Sequence, residues 1–387
     1  MRRIVISGYY GFGNGGDEAM LAALVDGLRR LHPQTHLTVL SADPQATREE
    51  YGVHSVGRLS PTGIRAALKG ADLLISGGGN LLQDVSGPFN IPYYLGLVEV
   101  ARWHGAATML LGQGIGPVEG RLGRWLIRRL ADRVDAITVR DEESAGFLER
   151  LGVRRPRIAV AADTVFSLDM PAPAEPVAPD HPRPAVALSL RQRGLPPEAR
   201  PLVVDALNRF TQMTGVHLLL VPMQPQEDLP LARWLAERLT PGTATLRPVD
   251  HWRQAAETFR GCEAVIAMRL HALIFAALVG RAPLGLSYDP KVDLFLAQVG
   301  LQPVAASDCL PEARVLARRL AAAYDDRQAL AARVADALPV LRAKAAVNFE
   351  MVDWVLAGAR KASGEADADI YNNVTASDAF RRQGRNG

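Results

Sequence analysis

An arginine and a histidine interrupt the apolar run of residues 264–279 (AVIAMRLHALIFAALV). The first part of the run is typical of a buried strand and the second of a helix, so Arg269 and His271 are predicted at their junction. A helix N-terminus attracts anions, and a charged side chain near a core is costly unless it is paired. Either Arg269 meets an internal carboxylate and His271 is a satisfied core histidine, or both belong to an anion-binding site.

Three further cations occupy comparable positions in the sequence. Arg140, Arg191 and Lys291 each follow a predicted apolar strand, as Arg269 does. The carboxyl ends of parallel strands lie at one edge of a sheet, so these side chains can converge there. Arginine binds carboxylate or phosphate through two parallel hydrogen bonds, whereas lysine acts as a point charge. The pattern predicts a site for a small ligand with several negative charges; the alternative is four separate solvated side chains.

Two glycine-rich stretches also follow predicted strands. Residues 8–18 (GYYGFGNGGDE) contain the G-x-G-x-x-G spacing of dinucleotide-binding loops, between a strand and a helix. However, Asp17 lies at the helix start, where it would repel a pyrophosphate, and Asp43 comes late for a ribose contact. Close approach of a sugar or another polar ligand suits the glycines as well, whereas a merely tight turn would not explain so many polar residues. Residues 77–80 (GGGN) are expected to form a second loop, where either a ligand or a packed helix could approach the backbone closely.

Strands and helices alternate along the chain in the order typical of a parallel sheet with helices on both faces. Residues 169–184 are dense in proline, which cannot donate to a sheet or continue a helix, and they predict a linker. We therefore expect an α/β fold with two Rossmann-like domains facing each other across a cleft. These are an N-terminal domain of residues 1–168 and a C-terminal domain of residues 185–360 with closing helices. The polar residues 361–387 are expected to be disordered.

Composition limits the class of protein. The chain has 387 residues, 48% hydrophobic and 22% charged, which is typical of a globular protein long enough for two domains. A net charge of +3 does not indicate a partner nucleic acid. Cys262 and Cys309 do not form a metal-type spacing, so we expect a reduced compartment and a metal-independent protein. Apolar runs are too short for a signal peptide or a membrane span, which predicts a cytoplasmic location.

Five short motifs occur in an order that resembles a known family. They are GYYGFGNGGDEA, ISGGGNLLQD, VRDEES, AMRLHALIFAA and SYDPKV, and they span residues 4–292. This order is similar to that of the polysaccharide pyruvyl transferases, in particular the CsaB-type members, which act on secondary cell-wall polymers of bacteria. The resemblance implies a fold like that of GT-B glycosyltransferases. It also implies transfer of a pyruvyl group from phosphoenolpyruvate to a sugar, with N-acetylmannosamine expected, of a lipid-linked precursor. The product would be a cyclic ketal with a role in S-layer anchoring.

The same resemblance places the family's key basic residues on Arg140, His271 and Lys291, with Arg269 beside the histidine. Phosphoenolpyruvate carries a carboxylate and a phosphate, so it suits several cations held in fixed directions, and Arg191 is a further candidate. His271 is predicted to serve as both acid and base, because its pKa is ordinarily near neutral. No cofactor is expected beyond phosphoenolpyruvate as co-substrate.

The sugar acceptor is expected against the N-terminal domain. Its predicted contacts are Gly13, Asn14, Gly78, Gly79 and Asn80. Asp17 is a candidate base for a sugar hydroxyl, although an acid at a helix start is equally explained as a favourable cap. Residues 121–133 (RLGRWLIRRLADR) predict a basic amphipathic helix, either docked on the anionic lipid of the inner membrane face or simply solvated.

Two other functions remain open at this point. A GT-B glycosyltransferase that uses a nucleotide sugar would share the architecture, but no acidic ribose contact is evident late in the second domain, where Lys291 places a cation. A non-catalytic sugar-binding protein would be expected to have lost some of the cations or His271, and all of them are present.

Overall fold

The computed structural model describes residues 2–85, 87–170 and 182–362, with side chains up to residue 358. Most of the predicted linker of residues 169–184 and nearly all of the predicted tail of residues 361–387 lie outside the described residues. None of the described helices is both long enough and apolar enough to cross a membrane.

Apolar runs in the first half of the chain form a parallel sheet that is covered by helices, as continuous hydrophobic strands require. The seven strands in this described part are β1 (Arg3–Ser7), β2 (His36–Ser41), β3 (His54–Gly57), β4 (Leu73–Leu82), β5 (Ala107–Ile115), β6 (Ala136–Val139) and β7 (Arg157–Val160). The helices between them are α1 (Gly15–Leu31), α2 (Pro44–Tyr51), α3 (Pro61–Leu68), α4 (Asn90–Trp103), α5 (Arg121–Leu130) and α6 (Glu142–Leu151). The strand order is β3-β2-β1-β4-β5-β6-β7.

The second half of the chain repeats this arrangement. Its described strands are β8 (Ala185–Ser189), β9 (His217–Leu220), β10 (Ala244–Leu246), β11 (Ala264–Ala267), β12 (Ala282–Ser287) and β13 (Ala305–Ala306), in the order β10-β9-β8-β11-β12-β13. Its described helices are α7 (Arg200–Thr214), α8 (Pro225–Ala236), α9 (Trp252–Arg260), α10 (Leu270–Leu278), α11 (Pro290–Gln298), α12 (Ala313–Asp325) and α13 (Arg327–Ala362). Both sheets therefore have the doubly wound topology, which the sequence predicted as two Rossmann-like units.

The strand order reverses between β1 and β4 in the first sheet and between β8 and β11 in the second. Ligands of doubly wound sheets bind beyond the carboxyl ends of strands at such reversal points. The loop of residues 8–14 follows β1, Arg191 follows β8, and Arg269 follows β11. The topology thus directs the glycine-rich loop and these cations toward the places where ligands bind.

The GGGN stretch departs from the expected loop. Strand β4 continues through it to Leu82, pairing Gly79 with Gln113 and Leu82 with Ile115 of β5 across a register shift. Gly78 and Gly79 have φ angles of +44° and +91°, a region that only glycine adopts without strain. The expectation that the strand ends before the glycines is therefore wrong, because the strand continues through them and its register shifts only between Gly79 and Leu82.

Helices connect the two sheets. At the start of α1, the amide of Gly15 donates to the carbonyl of Met223 at 3.1 Å. Helix α13 returns to the first sheet, where the Asn348 Oδ1 atom accepts from the Thr138 hydroxyl at 2.6 Å. Gly27 of α1 packs so closely on Phe349 that a Cβ atom there would lie 2.1 Å from the ring. These contacts hold the N-terminus of α1 against the second sheet.

Candidate active site

His271 lies where the two sheets meet, in the first turn of α10 directly after β11. Its side chain is 16% exposed, and its Nε2 atom lies 3.4 Å from the Oδ2 atom of Asp163. Its other face packs on Gly16 of α1, where a Cβ atom would lie 2.1 Å from Nδ1. Only glycine at position 16 leaves room for the imidazole, so both domains fix its position.

Asp163, which the sequence analysis did not predict, is the buried partner of this histidine. Burial opposes ionisation of its carboxyl, but the charges of His271 and Arg140 outweigh burial and lower its pKa. The Asp163 carboxylate lies beside the imidazole and can orient it. The residue follows β7 at the same sheet edge, so the strand-end rule would have found it had β7 been predicted.

Asp17 lies in the first turn of α1 and faces the same group of charges. Burial raises the pKa of its carboxyl to about 7, and the nearby charges of Glu18 and Asp163 act in the same direction against those of His271 and Arg269. A carboxyl that titrates near neutral pH can accept a proton from a hydroxyl and release it again. The structure thus brings the predicted candidates Asp17 and His271 together.

The raised pKa of Asp17 predicts a pH-dependent effect on stability. Because the folded-state pKa lies above that of an unfolded chain, Asp17 favours folding below about pH 4, and this contribution is lost as pH rises through 7. Asp17→Asn, which cannot ionise, is expected to be more stable than wild type at pH 8, by on the order of 2–4 kcal/mol, and not at pH 4. Denaturant unfolding at both pH values measures the difference. If Asp17→Asn changed the free energy of unfolding equally at pH 4 and pH 8, the raised pKa of Asp17 would be contradicted.

Every guanidinium nitrogen of Arg269 already contacts a carboxylate or an amide. Its Nε and Nη2 atoms donate to the two oxygens of Asp228 at 2.9 and 2.6 Å, and Nη1 donates to Gln224 at 3.0 Å. Glu227 adds a contact at 3.5 Å. Every nitrogen of the guanidinium therefore has a protein partner, as the interpretation with an internal carboxylate expected.

Each of the other predicted cations has N–H donors that are not used in close hydrogen bonds to the described residues. The Arg140 guanidinium reaches Asp141 and Asp163 only at 3.6 and 4.0 Å, too far for strong hydrogen bonds. The buried Nε atom of Arg191 has no hydrogen-bond partner among the described residues. The Nζ atom of Lys291 donates to Asp289 at 2.9 Å, which leaves two of its three donors.

These cations form a connected series across the cleft. Nη1 of Arg191 donates to the Tyr288 hydroxyl at 2.7 Å, and the Lys291 ammonium lies 5.5 Å from the Tyr288 ring centroid. Arg140, Lys291 and Asp163 line one pocket, and Asp163 lies between Arg140 and His271. Two carboxylates, Asp163 and Asp289, therefore lie among the cations, a feature that the sequence analysis did not anticipate.

The predicted acceptor contacts lie at the same end of the first sheet. Oδ1 of Asn14 caps α1 by accepting from Gly16 at 3.1 Å, and Nδ2 of Asn80 donates to the Gly116 carbonyl at 2.6 Å. Gly13 is exposed, and no atom lies within 4 Å of the position of a Cβ there. A Cβ on Gly79 would lie 3.2 Å from Oδ1 of Asp17, and one on Gly78 would lie 2.9 Å from the sulfur of Met20. Thus Gly79 borders the carboxylate, whereas Gly78 packs on α1.

The carboxylate of Glu18 binds a backbone amide of the glycine-rich loop. Its carboxylate accepts from the amide of Gly11 at 2.8 Å and from the Tyr51 hydroxyl at 3.1 Å. Side chains of the protein thus satisfy amides that a pyrophosphate would need, which agrees with the argument from charge against a dinucleotide.

The chain resembles solved structures over nearly its whole length. Anabaena HepE in complex with UDP and glucose matches with a TM-score of 0.62 at 14% identity, over 92% of this chain and 100% of that one. A putative UDP-N-acetylglucosamine 2-epimerase from Listeria monocytogenes matches with a TM-score of 0.65 at 12% identity, over 95% and 98%. The UDP-GlcNAc 2-epimerase from Neisseria meningitidis bound to UDP-GlcNAc matches with a TM-score of 0.60 at 10% identity, over 92% and 100%. At these identities the likeness shows the fold, which is GT-B-like.

The comparison of sequences is more specific than that of folds. No curated protein matches the chain. The family model for polysaccharide pyruvyl transferase matches residues 14–290, which is more than half of the chain and includes Asp17, Arg140 and His271. The chain therefore belongs to the polysaccharide pyruvyl transferase family and is a transferase.

Proposed function

We propose that this protein transfers a pyruvyl group from phosphoenolpyruvate to a sugar of a lipid-linked cell-wall polysaccharide precursor, forming a cyclic ketal and releasing phosphate. The sugar we expect is N-acetylmannosamine, and the reaction belongs on the cytoplasmic side of the membrane, in a pathway that anchors S-layers. The observation that carries the proposal is the position of His271 between Asp17 and Asp163, beside cations with unused donors.

The anionic groups of the donor are assigned to the cations that have donors to spare. Arg140 and the Nε atom of Arg191 offer N–H groups, and Lys291 offers a point charge. Arg269 is proposed to act on the donor through its field, because its own donors bind Asp228 and Gln224. Arginines in fixed directions suit a carboxylate and a phosphate on one small molecule.

The proposed chemistry needs His271 and Asp17 each to give and to take a proton at neutral pH. His271 gives a proton to the methylene carbon of phosphoenolpyruvate, and a sugar hydroxyl bonds to the adjacent carbon while Asp17 accepts its proton. A second hydroxyl then bonds to the same carbon and gives its proton to His271, while the bond to phosphate breaks and Asp17 gives its proton to the leaving phosphate. A carboxyl with a pKa of about 7 fits the role of Asp17, and Asp163 orients the histidine.

Phosphate release tests the proposal directly. Purified protein is incubated with phosphoenolpyruvate and a β-N-acetylmannosaminyl lipid-linked acceptor, and ketal formation is followed by mass spectrometry. Stoichiometric phosphate and ketal are the expected result. Turnover of a UDP-sugar without phosphoenolpyruvate would instead support a glycosyltransferase. We also expect full activity after exhaustive chelation of divalent ions, and dependence on such an ion would contradict a metal-independent reaction.

Helix α5 is proposed to bring the enzyme to its lipid-linked acceptor. Leu122 and Trp125 are 64% and 58% exposed, on a helix that also carries Arg121, Arg124 and Arg128. Exposed apolar side chains beside arginines favour binding to anionic lipid. The protein is expected to sediment with acidic liposomes at low salt, and Trp125→Ser is expected to weaken this binding. Wild-type protein that stays in the supernatant would contradict the docking role.

A further inference from the structure

A group of aromatic side chains surrounds one arginine beside the proposed site. The rings of Tyr9 and Phe12, from the loop after β1, stack with their centroids 4.1 Å apart. The guanidinium carbon of Arg58, which follows β3, lies 5.0 Å from the centroid of Phe12 and 4.6 Å from that of Tyr93. We call these four residues the aromatic cluster.

Arg58 differs from the other buried or half-buried arginines of the cleft because its neighbours are rings. Its buried Nε atom has no hydrogen-bond partner among the described residues, and no described carboxylate lies within ion-pair distance. Burial raises the pKa of the phenols of Tyr93 and Tyr94, so neither neutralises the guanidinium. A half-buried cation without a counter-ion is costly, and an anionic ligand would remove that cost.

The aromatic cluster lies at the mouth of the cleft. The pKa of Tyr9 is raised by burial and then by the charges of Asp17 from one domain and Glu227 from the other. Beside it, the exposed Gly13 has open space around it. A ligand that reaches Asp17 can therefore extend over Tyr9 toward Arg58.

The outer side of the cluster is apolar and exposed. Leu59, next to Arg58, is 78% exposed, and Phe89 is 79% exposed. Phe89 stands one turn before Tyr93, whose amide donates to its carbonyl at 3.0 Å. Along this surface a carboxylate is followed by aromatic rings, then by the Arg58 guanidinium, whose Nε atom has no hydrogen-bond partner among the described residues, and then by exposed apolar side chains.

We propose that the aromatic cluster is the subsite for the phosphate-bearing part of the acceptor. The sugar lies toward Asp17, the diphosphate that links it to the lipid binds Arg58, and the lipid leaves past Leu59 and Phe89. This assignment rests on the proposed function and extends it by stating which part of the surface binds each part of the acceptor. A guanidinium framed by rings recognises phosphate oxygens with fixed geometry.

The test compares two acceptors that carry the same sugar. One is a geranyl diphosphate-linked disaccharide, and the other is the methyl glycoside of that disaccharide. Arg58→Gln is expected to raise both KM and the calorimetric Kd for the diphosphate-linked acceptor roughly 10- to 100-fold, because hydrogen bonds to charged groups are lost. The KM of the methyl glycoside and that of phosphoenolpyruvate are expected to stay unchanged, and Arg58→Lys is expected to be intermediate.

Arg157→Gln is the matched control. Arg157 also lies over an aromatic ring, 5.2 Å from that of Trp354, but at the start of β7, on the sheet edge away from the cleft. Arg157→Gln should leave KM and Kd unchanged for both acceptors. The assignment would be overturned if Arg58→Gln raised KM and Kd equally for both acceptors, or raised them for neither. If wild type turned over neither acceptor with phosphoenolpyruvate, the proposed function would fail, whereas calorimetry would still decide whether Arg58 binds the diphosphate.

Discussion

Replacing His271 with glutamine is expected to lower kcat for phosphate release roughly 10²- to 10⁴-fold, the usual contribution of a general acid–base group. Glutamine keeps a polar side chain of similar length but cannot carry the proton to the methylene carbon. The rate is measured at saturating phosphoenolpyruvate and acceptor, so that loss of binding does not enter. KM for phosphoenolpyruvate should change much less than kcat.

His32 provides the matched control for this prediction. It is also a part-buried histidine facing a carboxylate, with Nε2 lying 2.7 Å from Oδ1 of Asp353, but it lies at the end of α1. His32→Gln should keep full activity. Gly16→Ala should reproduce much of the loss, because its Cβ would lie 2.1 Å from Nδ1 of His271 and displace the ring. Near wild-type ketal formation by His271→Gln would remove the histidine from the mechanism.

Replacing Asp228 with leucine is expected to lower the free energy of unfolding by about 3–5 kcal/mol, because it leaves the buried Arg269 guanidinium without its main counter-ion. Denaturant unfolding measures the change. The double variant Arg269→Met with Asp228→Leu should recover most of the loss, since replacing a whole buried pair with apolar groups is often neutral.

The double variant also separates the two roles considered for Arg269. A stable double variant with an unchanged KM for phosphoenolpyruvate would show that the arginine is structural, whereas a raised KM would show that its charge also serves the donor. The surface pair of Arg209 and Asp205, 3.0 Å apart, is the control. Asp205→Leu should lower the free energy of unfolding by less than about 1 kcal/mol, because exposed ion pairs usually contribute no more than that. A comparably small effect of Asp228→Leu would contradict the account of Arg269.

Much of the architecture was predictable from local patterns. Ala264–Ala267 is a strand as its apolar run indicates, and the helix after it begins at Leu270, between Arg269 and His271, where the junction was predicted. Short edge strands were not predictable in this way. β3 and β7 begin with the exposed residues His54 and Arg157; only one residue of β3 is buried and none of β7 is, so neither has the buried pattern of a central strand. Their existence depends on pairing with a neighbouring strand.

The sequence by itself determined the α/β class, the repeated topology and the presence of Arg269 and His271 at one strand-to-helix junction. These follow from apolar periodicity and from the rule that strand ends share an edge. Only the tertiary structure decided what each side chain faces. Two residues apart in the chain, Arg269 turns into its own domain to bind Asp228, while His271 reaches across to Asp163. Both partners are distant in sequence, so only the packing of the two sheets brings them to these residues.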